Sequence, residues 1–235
     1  MKKLIKRIII VILSIIFVFG AYITYEGYRL FEVALKNKSV IEMAEGIERI
    51  PNYVTLDELP EIYLIAVITA EDRNFYSHNG VDASAIARAT IRNVQTFSYG
   101  EGGSTITQQL AKNEYFTQDK RMSRKIADAF MAMRMEKELS KDEILELYVN
   151  SIYFGSGYYG IREASLGYYG KEPYELDAYE ATMLAGIPNA PSAYSLDSNF
   201  RLASERQLQV LNLMVKHGVI TEEEKESILE IGRRG

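Results

Sequence analysis

Apolar residues in this chain come first as one long block and then as helical stripes. After Lys2, Lys3, Lys6 and Arg7, the residues from Ile8 to Tyr25 run for about 18 positions without a charge. That length suits a membrane span. With cations on one side only, the positive-inside rule places the N-terminus in the cytoplasm and the rest beyond the membrane. The run is longer than a usual signal core, and no small-x-small cleavage site follows it, so an uncleaved anchor is expected. Residues 1–7 read as a basic cytoplasmic tail, 8–25 as a transmembrane anchor, 26–50 as an amphipathic stalk and 51–235 as one domain.

Within that domain the apolar period is helical. Ile62, Ile65, Ala66 and Thr69 share one face of a helix over Leu56 to Ala70. A second helix is expected over Val81 to Phe97, with Ala85, Ile86, Ala89 and Val94 apolar and Arg88 and Arg92 paired at i, i+4. Ser98 to Ser104 carries three glycines and reads as a loop. After the cations of Lys120 to Lys125, Ile126, Ala129, Phe130 and Met133 form an apolar stripe, with Arg121, Arg124 and Asp128 on the opposite side. Ser140 and Glu143 make a capping box for a helix over Ile144 to Asn150, and Thr221 to Glu224 caps another beyond the stop at His217-Gly218. One more helix, Leu176 to Gly186, ends before Pro188 and Pro191. Strand-like alternation is scarce, so the expected fold is mainly α.

Composition narrows the chemistry. There is no cysteine, and two histidines make a histidine-based zinc site a poor expectation. Once the four cations flanking the anchor are set aside, 23 Lys+Arg face 32 Asp+Glu, a net of −9, which argues against nucleic acid. An anionic substrate would need locally concentrated positive charge. The six positions from Lys120 to Lys125 hold four cations and supply it.

Three stretches carry candidate chemistry. Glu71-Asp72-Arg73-Asn74-Phe75-Tyr76-Ser77-His78-Asn79-Gly80 follows the apolar run Ile62 to Ala70, so two carboxylates arrive at the end of a buried helix. Desolvation there can raise a carboxyl pKa and make a general base or acid; a solvated helix end is the plain alternative. Gly103 to Asn113 packs hydroxyls, amides and one lysine into a short span, suited to sugars and phosphate oxygens; a capped helix with a polar outer face is the alternative. Arg124 and Asp128 make either an exposed pair worth a few tenths of a kcal/mol, roughly, or a basic face with a carboxylate able to bind a divalent cation. The tyrosines and glycines of 153–160 and 164–171 suit sugar stacking or, more commonly, loop packing.

Glu71-Asp-Arg-x-Phe75-x-x-His78-x-Gly80, Gly103-Ser-Thr-x-Thr-Gln-Gln-x-x-Lys112-Asn113, Arg124-Lys125, Ile144-Leu-Glu-x-Tyr-x-Asn150 and Pro188-x-x-Pro191 together resemble the peptidoglycan glycosyltransferase domain of class A penicillin-binding proteins and their monofunctional relatives, glycosyltransferase family 51. The resemblance covers roughly residues 50 to 215. With the chain ending at Gly235, no transpeptidase domain is expected, and the resemblance is to the monofunctional form. It implies a lysozyme-like helical domain on the bacterial cell membrane that polymerises lipid II, a disaccharide-pentapeptide on undecaprenyl diphosphate. The product is a β-1,4 glycan, made with inversion.

The same resemblance assigns Glu71 as general base and Asp128 as the second catalytic carboxylate, with Asp128 also holding a divalent cation, Mg²⁺ or Mn²⁺. Asp72, Phe75, His78, Ser104, Thr105, Thr107, Gln108, Gln109, Lys112, Asn113, Lys120, Arg121, Arg124 and Lys125 are implied substrate-binding residues. Implied partners are lipid II, the growing glycan strand, the membrane, and other cell-wall synthesis and division proteins. Two positions depart from the family pattern. Asp128 stands where a glutamate is usual, about 1.5 Å shorter in reach. Lys120 stands where an arginine is common, giving up bidentate phosphate contact unless Arg121 replaces it. Two rival readings remain: a glycan-cleaving, lysozyme-like enzyme, which would not need the basic cluster, and a catalytically weak cell-wall scaffold, which Asp128 alone favours.

Overall fold

A computed structural model describes residues 2–96, 103–116 and 121–234. Most of the expected 98–104 loop, and Lys120, lie outside them. Twelve helices follow one another among the described residues: α1 (Lys2–Asn37), α2 (Val40–Glu48), α3 (Glu61–Glu71), α4 (Ala83–Thr96), α5 (Ile106–Tyr115), α6 (Met122–Glu138), α7 (Lys141–Ser151), α8 (Ile161–Tyr169), α9 (Ala178–Gly186), α10 (Pro191–Tyr194), α11 (Leu196–Lys216) and α12 (Glu222–Arg234). No strand occurs among these residues; extended pairing is limited to one bridge, Tyr153 to Tyr159. The fold is mainly α, as the periodicity predicts.

The first helix is longer than its apolar block. At 1.5 Å per residue, its 36 residues span about 54 Å, well beyond a hydrocarbon core of about 30 Å. Its apolar stretch is not buried by the rest of the chain and is long enough to cross a membrane. Its far end packs on α6, where Tyr28 and Phe31 meet Phe130 at ring distances of 5.4 and 5.9 Å. Residues 26–50, expected as a stalk, are therefore joined to the domain's packing. Phe31, Val40, Met43, Ala44 and Ile47 all belong to the common core. Ser39 and Glu42 close a capping box that starts α2.

Two further expectations change for physical reasons. The helix read from Leu56 begins only at Glu61, because Pro60 has no N–H and disfavours helix at the residue before it; Leu56–Glu58 forms a single 3₁₀ turn. In α6, the face that turns inward is Ala127, Asp128, Met131, Ala132 and Met135, not the stripe of Ile126, Ala129, Phe130 and Met133. That stripe faces α1 and an apolar cavity instead. Because α6 packs against both α1 and α5, it carries two apolar faces, and Asp128 lies buried on the one expected to be open.

Elsewhere the capping expectations hold. Ser140 and Glu143 cap α7, and Thr221 and Glu224 cap α12. The tyrosine and glycine segment packs on itself: the Tyr158 and Tyr168 rings meet at 5.0 Å, and the Tyr168 hydroxyl donates to Phe154 O. α3 lies against α9 and α11, so its last residue, Glu71, ends deep in the molecule.

Gly80 shows how tightly the segment after α3 is held. Its φ is +88°, and a Cβ there would lie 2.7 Å from the backbone of Ala132 and Met133. Gly80→Ala should lower stability by roughly 2–4 kcal/mol, read as a fall in the thermal melting midpoint; an unchanged midpoint would contradict the packing described.

Candidate active site

The apolar helix α3 delivers Glu71 to the wall between two cavities. One, about 450 Å³, is lined by Arg73, Asp82, Arg88, Thr105, Lys216 and His217 among others. The other, about 350 Å³, holds Gln108, Gln109, Lys112, Arg124, Lys125 and Asp128. Ala70, Glu71 and Ser104 border both. A single carboxylate thus faces two chambers that are each large enough for part of a substrate.

The two oxygens of Glu71 differ. Oε2 accepts a 2.8 Å hydrogen bond from Gln109 Nε2. Oε1 is buried and has no hydrogen-bond partner; Arg206 Nη2 stands 3.6 Å away. Burial pushes the Glu71 carboxyl up from its ordinary range, and the Gln109 hydrogen bond, Arg206 and Lys112 pull it back. The side chain is 5% exposed. Such a group suits proton abstraction, because a base must be ionised yet basic enough to take a proton.

On the other side of the smaller cavity, Arg124 Nη1 donates to Asp128 Oδ2 at 2.5 Å. Asp128 Oδ1 is buried without a partner. Burial raises the Asp128 carboxyl to about 6 against the opposing pull of Arg124, Lys112 and Lys125. Lys112 is itself pushed down by burial and by Arg124. Lys112, Arg124 and Lys125 therefore face a small polar chamber in which three cations outnumber the two carboxylates, Glu71 and Asp128.

Other expected residues build the wall. Asp72 Oδ2 receives His78 Nε2 at 2.8 Å and the backbone N–H of Ile106 at 3.0 Å, which ties the end of α3 to the start of α5. Burial raises the Asp72 carboxyl, and His78 opposes this. Glu136 accepts from Lys141 and from the Thr107 hydroxyl, so Thr107 points away from the cavities. Phe75 is fully buried, edge-on to His78 and beneath the Lys141 ammonium. Thr105 caps α5 through Gln108 and donates to Gly80 O at 2.7 Å. Asn113 and Arg121 are exposed and line neither cavity.

Sequence reasoning missed three contributors. Arg206 on α11 approaches Glu71; its signal is a cation in the inward register of Ala203, Val210 and Met214. Tyr148 lies within the helix motif already noted, and its hydroxyl reaches Gln109 Oε1 at 3.4 Å. Asn189 lines the smaller cavity from the proline segment. His217, read as a helix end, does end α11, but it also lines the larger cavity and contacts Arg73 at 3.1 Å.

A sequence-family model described as transglycosylase matches residues 37–215. The chain belongs to the transglycosylase family. It is 44% identical to penicillin-binding protein 1A of Neisseria flavescens over 76% of its own length and 22% of that protein. It is 38% identical to penicillin-binding protein 1F of Bacillus subtilis over 99% of its length and 34% of that protein. It therefore spans about a fifth to a third of these relatives. A crystal structure of penicillin-binding protein 1A from Haemophilus influenzae is 25% identical, covering 77% of this chain and 17% of that one, with a TM-score of 0.45.

The raised Asp128 carboxyl sets a pH dependence for the stability of this chain. Between about pH 4 and 6 the folded state keeps the Asp128 proton that the unfolded chain releases, so this group's contribution to stability falls as pH rises through that window. Asp128→Asn should therefore stabilise the protein at pH 7.5 by on the order of 1–3 kcal/mol, with little gain at pH 4. Denaturant unfolding at both pH values checks this; an equal effect at both would contradict it.

Proposed function

We propose that this chain is a membrane-anchored peptidoglycan glycosyltransferase that polymerises lipid II into β-1,4 glycan, with inversion at the anomeric carbon and release of undecaprenyl diphosphate. The observation that carries the reading is Glu71 at the border of a polar chamber rich in cations and a second, separate chamber. A donor diphosphate fits beside Lys112, Arg124 and Lys125, and an acceptor sugar fits in the larger cavity. A hydrolase acting on neutral glycosidic bonds has no use for three cations next to its carboxylates, which disfavours the lytic alternative.

In this reading the Glu71 carboxylate takes the proton from the acceptor's 4-hydroxyl as that oxygen bonds to the donor's anomeric carbon. The bond from that carbon to the diphosphate oxygen breaks, and its electron pair leaves with the phosphate. Because the leaving group is already anionic, charge neutralisation by Lys112 and Arg124 matters more than a proton donor. Ser104, Gln108 and Gln109 line the chamber with hydroxyl and amide groups that suit sugar and phosphate oxygens. Beside it, an apolar cavity of about 430 Å³ between α4 and α6 shares Gln108 and Lys125 at its edge and suits part of a prenyl chain. Anchoring by α1 would place that cavity near the lipid surface, with the domain outside the cytoplasm.

A divalent cation fits only in part. No group of three His, Cys, Asp or Glu side chains able to hold a metal occurs among the described residues. Asp128 Oδ1 is a buried oxygen without a partner, and Mg²⁺ often takes one protein carboxylate with the rest supplied by substrate phosphate and water. Asp128 would hold such an ion, which would supply further charge neutralisation at the diphosphate. The shorter aspartate tunes this site without removing its charge.

Purified protein in detergent should convert labelled lipid II to glycan strands, resolved by gel. Glu71→Gln should slow this by about 10²–10⁴-fold, the usual worth of a general base. Shortening of preformed glycan without any polymer would support the lytic reading instead, and an inactive wild type that Asp128→Glu activates would support a scaffold.

A further inference from the structure

Arg206 is a buried cation that neither cavity accounts for. The residue is 9% exposed and lies on the inward face of α11. Its uncharged contacts are long: Nε to Gly186 O and Nη1 to Gln209 Oε1, both at 3.4 Å. α9 ends at Gly186, where a Cβ would come within 3.1 Å of Arg206 Cγ, so the glycine makes room for the arginine stem. Contacts of that length do not return the cost of removing a guanidinium from water. Glu71 is the carboxylate it approaches, at 3.6 Å from Oε1.

The setting of Glu71 is asymmetric. Gln109 and Lys112 face it from α5, Tyr148 from α7, Asp72 from the end of its own helix and Arg206 from α11. The two cavities add Arg73, Lys216 and His217 on one side and Arg124 and Asp128 on the other. Lys112 lines the smaller cavity, where a substrate anion would draw on its charge; Arg206 lines neither. The Tyr148 hydroxyl, donating to Gln109 Oε1, turns the amide so that Nε2 engages Glu71 Oε2. That leaves Oε1 with a charge nearby but no hydrogen bond.

Resting on the proposed glycosyl transfer, we propose that Arg206 is a positioning residue for the proton-abstraction step: from outside both cavities it balances the buried charge of Glu71, so that the carboxylate stays ionised and able to take the proton. Its charge stays with the base when substrate anions occupy Lys112 and Arg124. At 3.6 Å, beyond hydrogen-bond length, the guanidinium stabilises the carboxylate by charge alone.

The test uses the full chain in detergent with Arg206→Gln and Arg206→Lys. The Glu71 carboxyl is followed by carbon-13 NMR of labelled glutamate and assigned by its loss in Glu71→Gln. Arg206→Gln should move the Glu71 titration upward by about one to three pH units, and Arg206→Lys should leave it near wild type. In lipid II polymerisation, the acid limb of the rate profile should move by the same amount. The rate at neutral pH should fall about tenfold or more, with recovery at higher pH and little change in KM. An unmoved titration, or a loss of rate equal at every pH, would overturn the proposal and leave Arg206 a packing residue. The titration needs no substrate, so an inactive wild type would count against the glycosyl-transfer reading while the coupling of Arg206 to Glu71 is still decided.

Discussion

A carboxylate held almost dry at the end of an apolar helix is the constraint on which the rest of this structure depends. Left alone, buried charge of this kind is expelled or neutralised. Here Glu71 is kept at the wall of two cavities by an amide on one oxygen and a guanidinium near the other. These come from α5 and α11, so the site exists only when helices from distant parts of the chain pack around α3. The burial that raises the carboxyl and its partly compensated charge are two sides of one arrangement.

The neighbouring polar network makes that arrangement rigid. Asp72 joins the end of α3 to the first N–H of α5 and to His78, while Glu136 gathers Lys141 and Thr107. Each is a buried polar group whose partners are themselves fixed, so the helix ends cannot drift without stranding several hydrogen bonds. Gly80, under the Thr105 hydroxyl and against α6, closes the same corner. Precision at Glu71 comes from this wall, which leaves the chambers on either side for the proposed substrate contacts.

Much of this was legible in the sequence because it is local. A run of apolar residues ending in Glu71-Asp72 announces a buried helix with a carboxylate at its end, and Ser140 with Glu143 announces a helix start. What was not legible is where a residue points once a third helix arrives. In α6 the apolar residues on one side are covered by α1, so the side carrying Asp128 turns inward instead. Phe75, His78 and Thr107 share motifs with site residues, yet they line neither cavity and pack or bond within the wall, because residue type near a site does not separate wall from chamber. Arg206 could be suspected only as a cation in an apolar register; its partner depends on how α11 crosses α3.

The central claim is that the Glu71 carboxylate meets the attacking hydroxyl while the diphosphate lies with Lys112 and Arg124. The most direct measurement is a crystal structure of the protein with an unreactive lipid-linked sugar diphosphate and an acceptor disaccharide. A sugar 4-hydroxyl within about 3 Å of a Glu71 carboxylate oxygen, with diphosphate oxygens on Lys112 and Arg124, is the expected result. A diphosphate seated in the larger cavity, or an acceptor hydroxyl that Glu71 does not touch, would contradict the account.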